Sequence, residues 1–187
     1  MNSEAVLTDY SAYSLTVPKS LMPWMRSNHA GETGAVWIYK AASLALWSSS
    51  IRQMATEHID TEHEHLLVMT HLVPANERSK LIVVWRIMGF GLGLFATLFG
   101  YTFFCLTISA VETFVEQHYN EQIDHIIKTQ QSPSLLALIQ RCCAEETQHK
   151  LDAECYLKSP SDSVWVRVWL NLVKVGSSIA VQVAKKI

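Results

Sequence analysis

Nowhere along this 187-residue chain do apolar and polar positions alternate in the manner of a strand bounded by turns; the pattern is one of long segments of helix-forming residues. The 5 prolines, Pro18, Pro23, Pro74, Pro133 and Pro160, cluster at the starts of those segments or between them, and there are only 7 glycines. Prolines clustered between such segments mark helix boundaries. The pattern predicts helices over 20–48, 50–72, 79–98, 101–129, 133–157 and 163–186, and with them an all-α fold.

Two of these segments are unusually apolar. The run from Ile87 to Val111 carries no charge and exceeds the roughly 20 residues of a membrane span. It reads either as a lipid-inserted hairpin or as a buried helix pair broken at Gly100. The last segment sets Arg167, Asn171, Lys174, Ser178, Gln182 and Lys185 three or four apart, a narrow polar stripe on an apolar cylinder. Such a helix can lie on a membrane with its basic residues toward the headgroups, or pack on the bundle.

Composition narrows the partners. Hydrophobic residues make up 49% and charged ones 17%, against about a quarter charged in ordinary soluble domains, which predicts apolar surface meeting lipid or a partner. With 15 basic and 17 acidic residues, net −2, there is no electrostatic footprint for nucleic acid. The 4 cysteines form neither a C-x-x-C pair nor a dense disulfide framework, which favours a reducing compartment. The segment MNSEAVLTDYSAYS lacks the build of a signal or transit peptide, so a bacterial cytoplasmic chain is expected, with a processed mitochondrial one as the alternative. Residues 1–19 are expected to be a flexible segment. Residues 20–187 are expected to form a single domain that includes an apolar insert, 81–111, and a C-terminal helix, 163–186.

The chemistry lies in a repeated order of ligands. Residues three apart on a helix share a face, so a Glu and a His in that relation can grip one metal ion. The pair occurs as Glu62 with His65 and as Glu146 with His149. Each is preceded by a helix bearing a glutamate in an apolar setting, Glu32 in HAGETGAVWIYKA and Glu112 in TISAVETFVEQHY. Glu followed by E-x-x-H, repeated once, is the inward ligand set of ferritin-like bundles that hold two iron or manganese ions. The expected architecture is therefore a ferritin-like four-helix bundle with two additional apolar helices.

Neighbouring residues divide between two readings. His58 shares the face of Glu62 and His65, and a solvated or core-edge side chain is the favoured reading over a partner of the ligands. Glu57, His63 and Glu64 read as a solvated face. Tyr39 and Tyr119 each follow a ligand glutamate by two turns and either bond metal-bound carboxylates or fill the core. Cys142 reads as a small core residue. Gly89, Gly91 and Gly93 lack the strand and acidic partner of a nucleotide-binding run, so close helix packing is expected there.

Together, RSNHAGETGA (26–35), EHEHL (62–66), AVETFVEQHYNEQI (110–123) and EETQH (145–149) resemble the demethoxyubiquinone hydroxylases of ubiquinone biosynthesis, over about residues 20–187. The resemblance implies a membrane-associated, ferritin-like di-iron monooxygenase that hydroxylates the ring of a late quinone precursor with molecular oxygen. It implies Glu32, Glu62, His65, Glu112, Glu146 and His149 as ligands of two iron ions, with manganese as the alternative metal, and His118 and Tyr119 as the HY pair acting near them. Implied partners are a polyprenyl quinone precursor, the membrane, and proteins of a ubiquinone-biosynthesis complex or a second copy of the chain. The implied location is the cytoplasmic face of a bacterial inner membrane. Thr113 and Ala144 stand where many members carry acidic residues, which bears on tuning around the ligands and on substrate identity. A ferritin-like ferroxidase or peroxidase, or a helical membrane or assembly protein without catalysis, are the alternative functions.

Overall fold

The computed structural model describes residues 15–157 and 163–187; the expected flexible segment lies outside the described residues up to residue 14. Six α-helices follow in order: α1 (Met22–Ala42), α2 (Ser49–Leu72), α3 (Ile82–Leu98), α4 (Tyr101–Thr129), α5 (Pro133–Glu154) and α6 (Val164–Ala184), with one turn of 3-10 helix at Ala75–Glu77. No strand occurs among the described residues, so the all-α expectation holds.

The first helix is shorter than its apolar pattern predicts. It ends at Ala42, and residues 43–48 turn back through backbone bonds such as Ser43 N to Tyr39 O (2.9 Å) and Ser48 N to Ala45 O (3.0 Å). Ser48 then caps α2 by accepting from the Ile51 N–H, and Arg52 donates to Ala45 O at 2.9 Å. No glycine or proline marks this turn, and Leu44, Leu46 and Trp47 are apolar yet exposed. Tertiary bonds end the helix where local composition does not.

Contacts fix the helix directions. Asn28 meets Gln122, Glu32 meets Tyr119 and Tyr39 meets Glu112, so numbers rise on α1 as they fall on α4 and the two are antiparallel. His65 with Glu145 and Glu146, Glu62 with His149, and His58 with Asp152 make α2 and α5 antiparallel in the same way. These four helices form the bundle. Two apolar clusters close it, one around Phe104, Ile108 and Ile51, the other around Met25, Met69 and Ile139.

Helix α3 lies outside the bundle, parallel to α1 and against it. Gly89 sits on the Gly34 backbone and Gly93 on the Ile38 backbone, so the glycines serve close packing. Gly100, at φ 87°, then lets the chain reverse into α4, as the hairpin reading requires. Helix α6 crosses back over α1 and α4. Trp169 donates its indole N–H to Thr107 Oγ1 (2.9 Å) and packs against Phe95 and Phe103. At its other end Ala184 joins Ala30 and Trp85.

A methyl at Gly89 would collide with the Gly34 carbonyl, whereas one at Gly91 meets nothing within 4 Å. Gly89→Ala should therefore cost about 1–3 kcal/mol, and Gly91→Ala should be neutral or gain up to about 1 kcal/mol of helix propensity. Thermal unfolding followed by circular dichroism checks the pair: Gly89→Ala melts roughly 2–10 °C lower and Gly91→Ala does not.

Candidate metal centre

Midway along the bundle, α1 contributes Glu32, α2 contributes Glu62 and His65, α4 contributes Glu112, and α5 contributes Glu146 and His149; all six are buried. Their ligand atoms fall into two groups. In Glu32, Glu62, His65 and Glu146 these atoms lie within 4.8 Å of one another, and so do those of Glu62, Glu112, Glu146 and His149. Glu62 and Glu146 belong to both. The geometry is that of two adjoining cation positions which share two carboxylates.

Hydrogen bonding inside the cluster is incomplete. Glu62 is 0% exposed and neither of its oxygens accepts a hydrogen bond, although His149 Nδ1 stands 3.1 Å from Oε1 at a poor angle. His149 Nδ1 is likewise unpartnered. Buried carboxylates and imidazoles without partners are costly in a protein interior. Unpartnered carboxylate and imidazole atoms within 4.8 Å of one another fit a metal ion, and two divalent cations would balance four carboxylates.

The electrostatics show the same requirement. Burial, then the neighbouring charge of Glu146, holds Glu32, Glu62 and Glu112 above the usual carboxylate range. Burial also works against ionised Glu146, but the approach of His149 and a bond from His65 hold it below that range. Burial opposes protonation of both histidines too. The close approach of the Glu146 and Glu62 carboxylates nevertheless pushes His149 up to about 11, and bonds to Glu145 and Glu146 raise His65.

A ring of partners orients the six. Tyr39, seven residues after Glu32, donates to Glu112 Oε1 at 3.1 Å; Tyr119, seven after Glu112, donates to Glu32 Oε1 at 2.5 Å. Each tyrosine thus reaches across the bundle to the glutamate of the other helix, which answers the open alternative for both. His58 departs from its favoured reading. It is 4% exposed, with Nδ1 3.1 Å from Tyr39 Oη, Nε2 3.4 Å from Asp152 Oδ2, and its ring stacked on His149 at 4.2 Å. Glu145, which the sequence reading passed over, bonds His65 Nε2 at 2.7 Å and takes Arg141 Nε at 3.0 Å. Its place directly before Glu146 was the available signal. Glu57 and His63 are exposed and Cys142 is in the core, as expected. Thr113 bonds the Ser109 carbonyl of its own helix and Ala144 is exposed.

An apolar cavity of about 310 Å³ leads to the cluster. Glu32, Glu112, Glu146, Tyr119, His118 and Ser27 line its polar end, and α3 and α6 form its far wall. Met88 of α3 and Leu172 of α6 line it while remaining 50% and 59% exposed, so its mouth opens between those two helices. His118 does not join the six; its Nε2 is 3.1 Å from Ser27 Oγ. Ser27, and the Asn28–Gln122 amide pair beside it (2.8 and 3.0 Å), carried no signal in the sequence pattern.

These shifts give a pH dependence for the metal-free chain. His149 and His65, raised above 6.5, contribute stability that is complete below 6.5 and lost as pH rises through their folded values, near 11 for His149. The raised Glu32, Glu62 and Glu112 act in the same direction above 4.5. His58, lowered by burial to about 4, and His118, lowered by burial to about 3, oppose this only below 6.5. Chelator-treated protein should therefore melt higher at about pH 7 than at about pH 9, and added divalent metal should abolish that difference in a thermal scan.

Residues 19–184 match the protein family described as Ubiquinone biosynthesis protein COQ7. Similar curated proteins include the NADPH-dependent 3-demethoxyubiquinone 3-hydroxylase, mitochondrial, of Homo sapiens, 27% identical over 170 residues, 87% of this chain and 76% of that protein. The protein of the same name from Dictyostelium discoideum is 33% identical over 101 residues, 53% of this chain and 46% of that protein. The 3-demethoxyubiquinol 3-hydroxylase of Rhodospirillum rubrum is 27% identical over 168 residues, 88% of this chain and 77% of that protein. With the match running through all six helices, this chain belongs to the COQ7 family of ubiquinone biosynthesis proteins.

Proposed function

We propose that this chain is an oxygen-dependent monooxygenase that hydroxylates the ring of a demethoxyubiquinol-type polyprenyl quinol, using two iron ions held by Glu32, Glu62, His65, Glu112, Glu146 and His149. The observation that carries the reading is an apolar cavity that ends on a buried cluster of carboxylates and imidazoles. In this reading Glu32 and His65 serve one position, Glu112 and His149 the other, and Glu62 and Glu146 are shared. Bound iron would supply the activation of molecular oxygen that a chain of ordinary side chains lacks. The chain's own residues do the rest. Tyr39 and Tyr119 hold the outer carboxylates in place. The cavity walls exclude water and keep the ring against the cluster, so that binding of the tail contributes to orientation of the ring.

The names of relatives support the substrate, and the prefix NADPH-dependent in several of them supports a nicotinamide as the electron source. One ring C–H, one molecule of oxygen, NADPH and a proton then give one ring C–OH, water and NADP⁺. The membrane part of the reading rests on the apolar faces of α3 and α6. Val83, Val84, Ile87, Met88 and Phe95 are exposed on one, and Trp165, Val168, Leu172, Val175 and Ile179 on the other. Helix α6 is also long and apolar enough to cross a membrane by length and composition. With the ligand helices on one side, the chain sits peripherally, on the cytoplasmic face of a bacterial inner membrane, and takes the quinol from lipid through the mouth between α3 and α6. A ferroxidase requires no such apolar approach.

Iron-loaded protein supplied with a short-tailed demethoxyubiquinol, a reductant and isotopically labelled oxygen gas should yield product with one labelled ring oxygen. Glu62→Ala should lose both activity and metal from the two positions together, since both share this carboxylate, with helical content retained. Product oxygen derived from water, or full metal content in Glu62→Ala, would overturn the assignment.

A further inference from the structure

The two cation positions have matching donors, one glutamate and one imidazole of their own, and share Glu62 and Glu146. What stands behind the two imidazoles differs. His65 is held at both nitrogens. Its Nδ1 faces the cluster, 2.8 Å from Glu146 Oε1 and 3.7 Å from Glu32 Oε2. Its Nε2 lies 2.7 Å from Glu145 Oε2, and the other oxygen of Glu145 takes Arg141 Nε at 3.0 Å. A carboxylate paired with a guanidinium only accepts, so Nε2 carries a proton toward it and Nδ1 is the nitrogen that His65 can offer to an ion. A carboxylate in that place fixes the ring and makes its free nitrogen a stronger donor, and its loss ordinarily costs about 10–100-fold in metal affinity.

His149 also turns Nδ1 to the cluster, 3.1 Å from Glu62 Oε1 and 3.4 Å from Glu146 Oε2. Among the described residues no carboxylate is set against its Nε2. Its ring lies flat on His58 instead, with centroids 4.2 Å apart and planes 13° from parallel, and Tyr39 meets it edge-on at 6.3 Å. The carboxylate on this side, Asp152, stops 3.4 Å from His58 Nε2. Stacking holds the plane of His149 but lends its donor nitrogen no negative charge. The outer glutamates do not separate the two positions, since each accepts one tyrosine O–H.

We infer that Glu145, acting through His65, makes the Glu32–His65 position the tighter of the two, so that this position takes the first divalent ion and the Glu112–His149 position the second. The inference rests on the metal reading of the six residues and adds to it an order of loading. Whichever position fills first, its ion offsets the charge of the shared Glu62 and Glu146, and the second ion meets a less negative cluster. Glu145 decides which position is occupied in a chain that holds one ion. It is a positioning residue, since it reaches the ion only through His65.

The test titrates the full metal-free chain with cobalt(II), with bound ion read by visible absorption and free ion by equilibrium dialysis. Wild type should fill in two steps. His149→Ala keeps the Glu32–His65 position and should bind its first ion within about threefold of the wild-type first step, whereas His65→Ala keeps the other position and should bind its first ion about tenfold more weakly. Glu145→Gln, at a side chain 34% exposed, still offers His65 an acceptor but no charge. Added to His149→Ala it should weaken binding about tenfold; added to His65→Ala it should change binding by less than about twofold, a contrast that a general effect on folding would not produce. Glu145→Gln alone leaves all six ligands in place and should weaken the first step about threefold or more. Equal or reversed affinities of His149→Ala and His65→Ala, or an unchanged first step in Glu145→Gln, would overturn the inference while leaving the metal centre in place. Wild type that binds no cobalt would overturn the metal reading itself.

Discussion

Four carboxylates in the interior of a helical bundle are an arrangement that apolar packing alone does not sustain. Isolated, each would be expelled to water or protonated, and here Glu32, Glu62 and Glu112 are held well toward the protonated form by burial and by Glu146. The rest of the bundle is organised around this constraint. Large side chains close it above and below, with Phe104, Ile108 and Ile51 at one end and Met25, Met69 and Ile139 at the other. Between them the facing helices are bridged by acids, imidazoles and tyrosines instead of interlocking alkyl chains. Each E-x-x-H pair gives one bundle helix two ligands one turn apart, and the antiparallel run of α2 and α5 brings His65 to Glu146 and His149 to Glu62.

The two halves of the centre are alike in their ligands and different in what stands behind them. Tyr39 and Tyr119 form a reciprocal clasp, each on the helix of one outer glutamate and bonded to the other. Behind Tyr39 the bonds continue through His58 to Asp152, whose side chain is 42% exposed. Tyr119 instead lines the apolar cavity and has no such polar connection to solvent among the described residues. The Tyr39 side of the centre thus reaches partly exposed groups through His58 and Asp152, the His65 side reaches them through Glu145, and the cavity adds a hydrocarbon wall. An oxidation of an apolar molecule has use for both polar and apolar surroundings.

Much of this was legible in the sequence because ligand spacing is a local property. The order of Glu32, Glu62 with His65, Glu112, and Glu146 with His149 places each residue on a helix face before any tertiary contact is known. Gly100 and the uncharged run around it marked the α3–α4 reversal in the same way. What stayed hidden depends on which helix lies opposite. His58 shares a face with two ligands, but its burial follows from α5 bringing Asp152 and His149 against it. Glu145 points beside its own helix's ligand and acquires meaning only because His65 arrives from α2. Past the end of α1 at Ala42, Arg52 reaches Ala45 O and Trp47 donates to Thr97 O, the second a bond to a distant segment that no local window contains.

The two helices outside the bundle complete the site by packing unequally. Gly89 and Gly93 let α3 press its backbone onto α1 along the helix that carries Glu32, so this wall is rigid and close. Helix α6 meets the same region at two places, where Trp169 joins Phe95 and Phe103 with buried Val173 one turn on, and where Ala184 meets Trp85 and Ala30. Between those two contacts Gly176 and Ser177 provide little bulk, and the cavity occupies the space they leave. Had α6 carried large residues there, the same six ligands would sit in a sealed bundle suited to ions and small oxidants. Gly176, Ser177 and Ala180 among the cavity-lining residues of this helix, with Val168, Val175 and Ile179 exposed on it, leave apolar space beside the buried acids and imidazoles without altering any of the six.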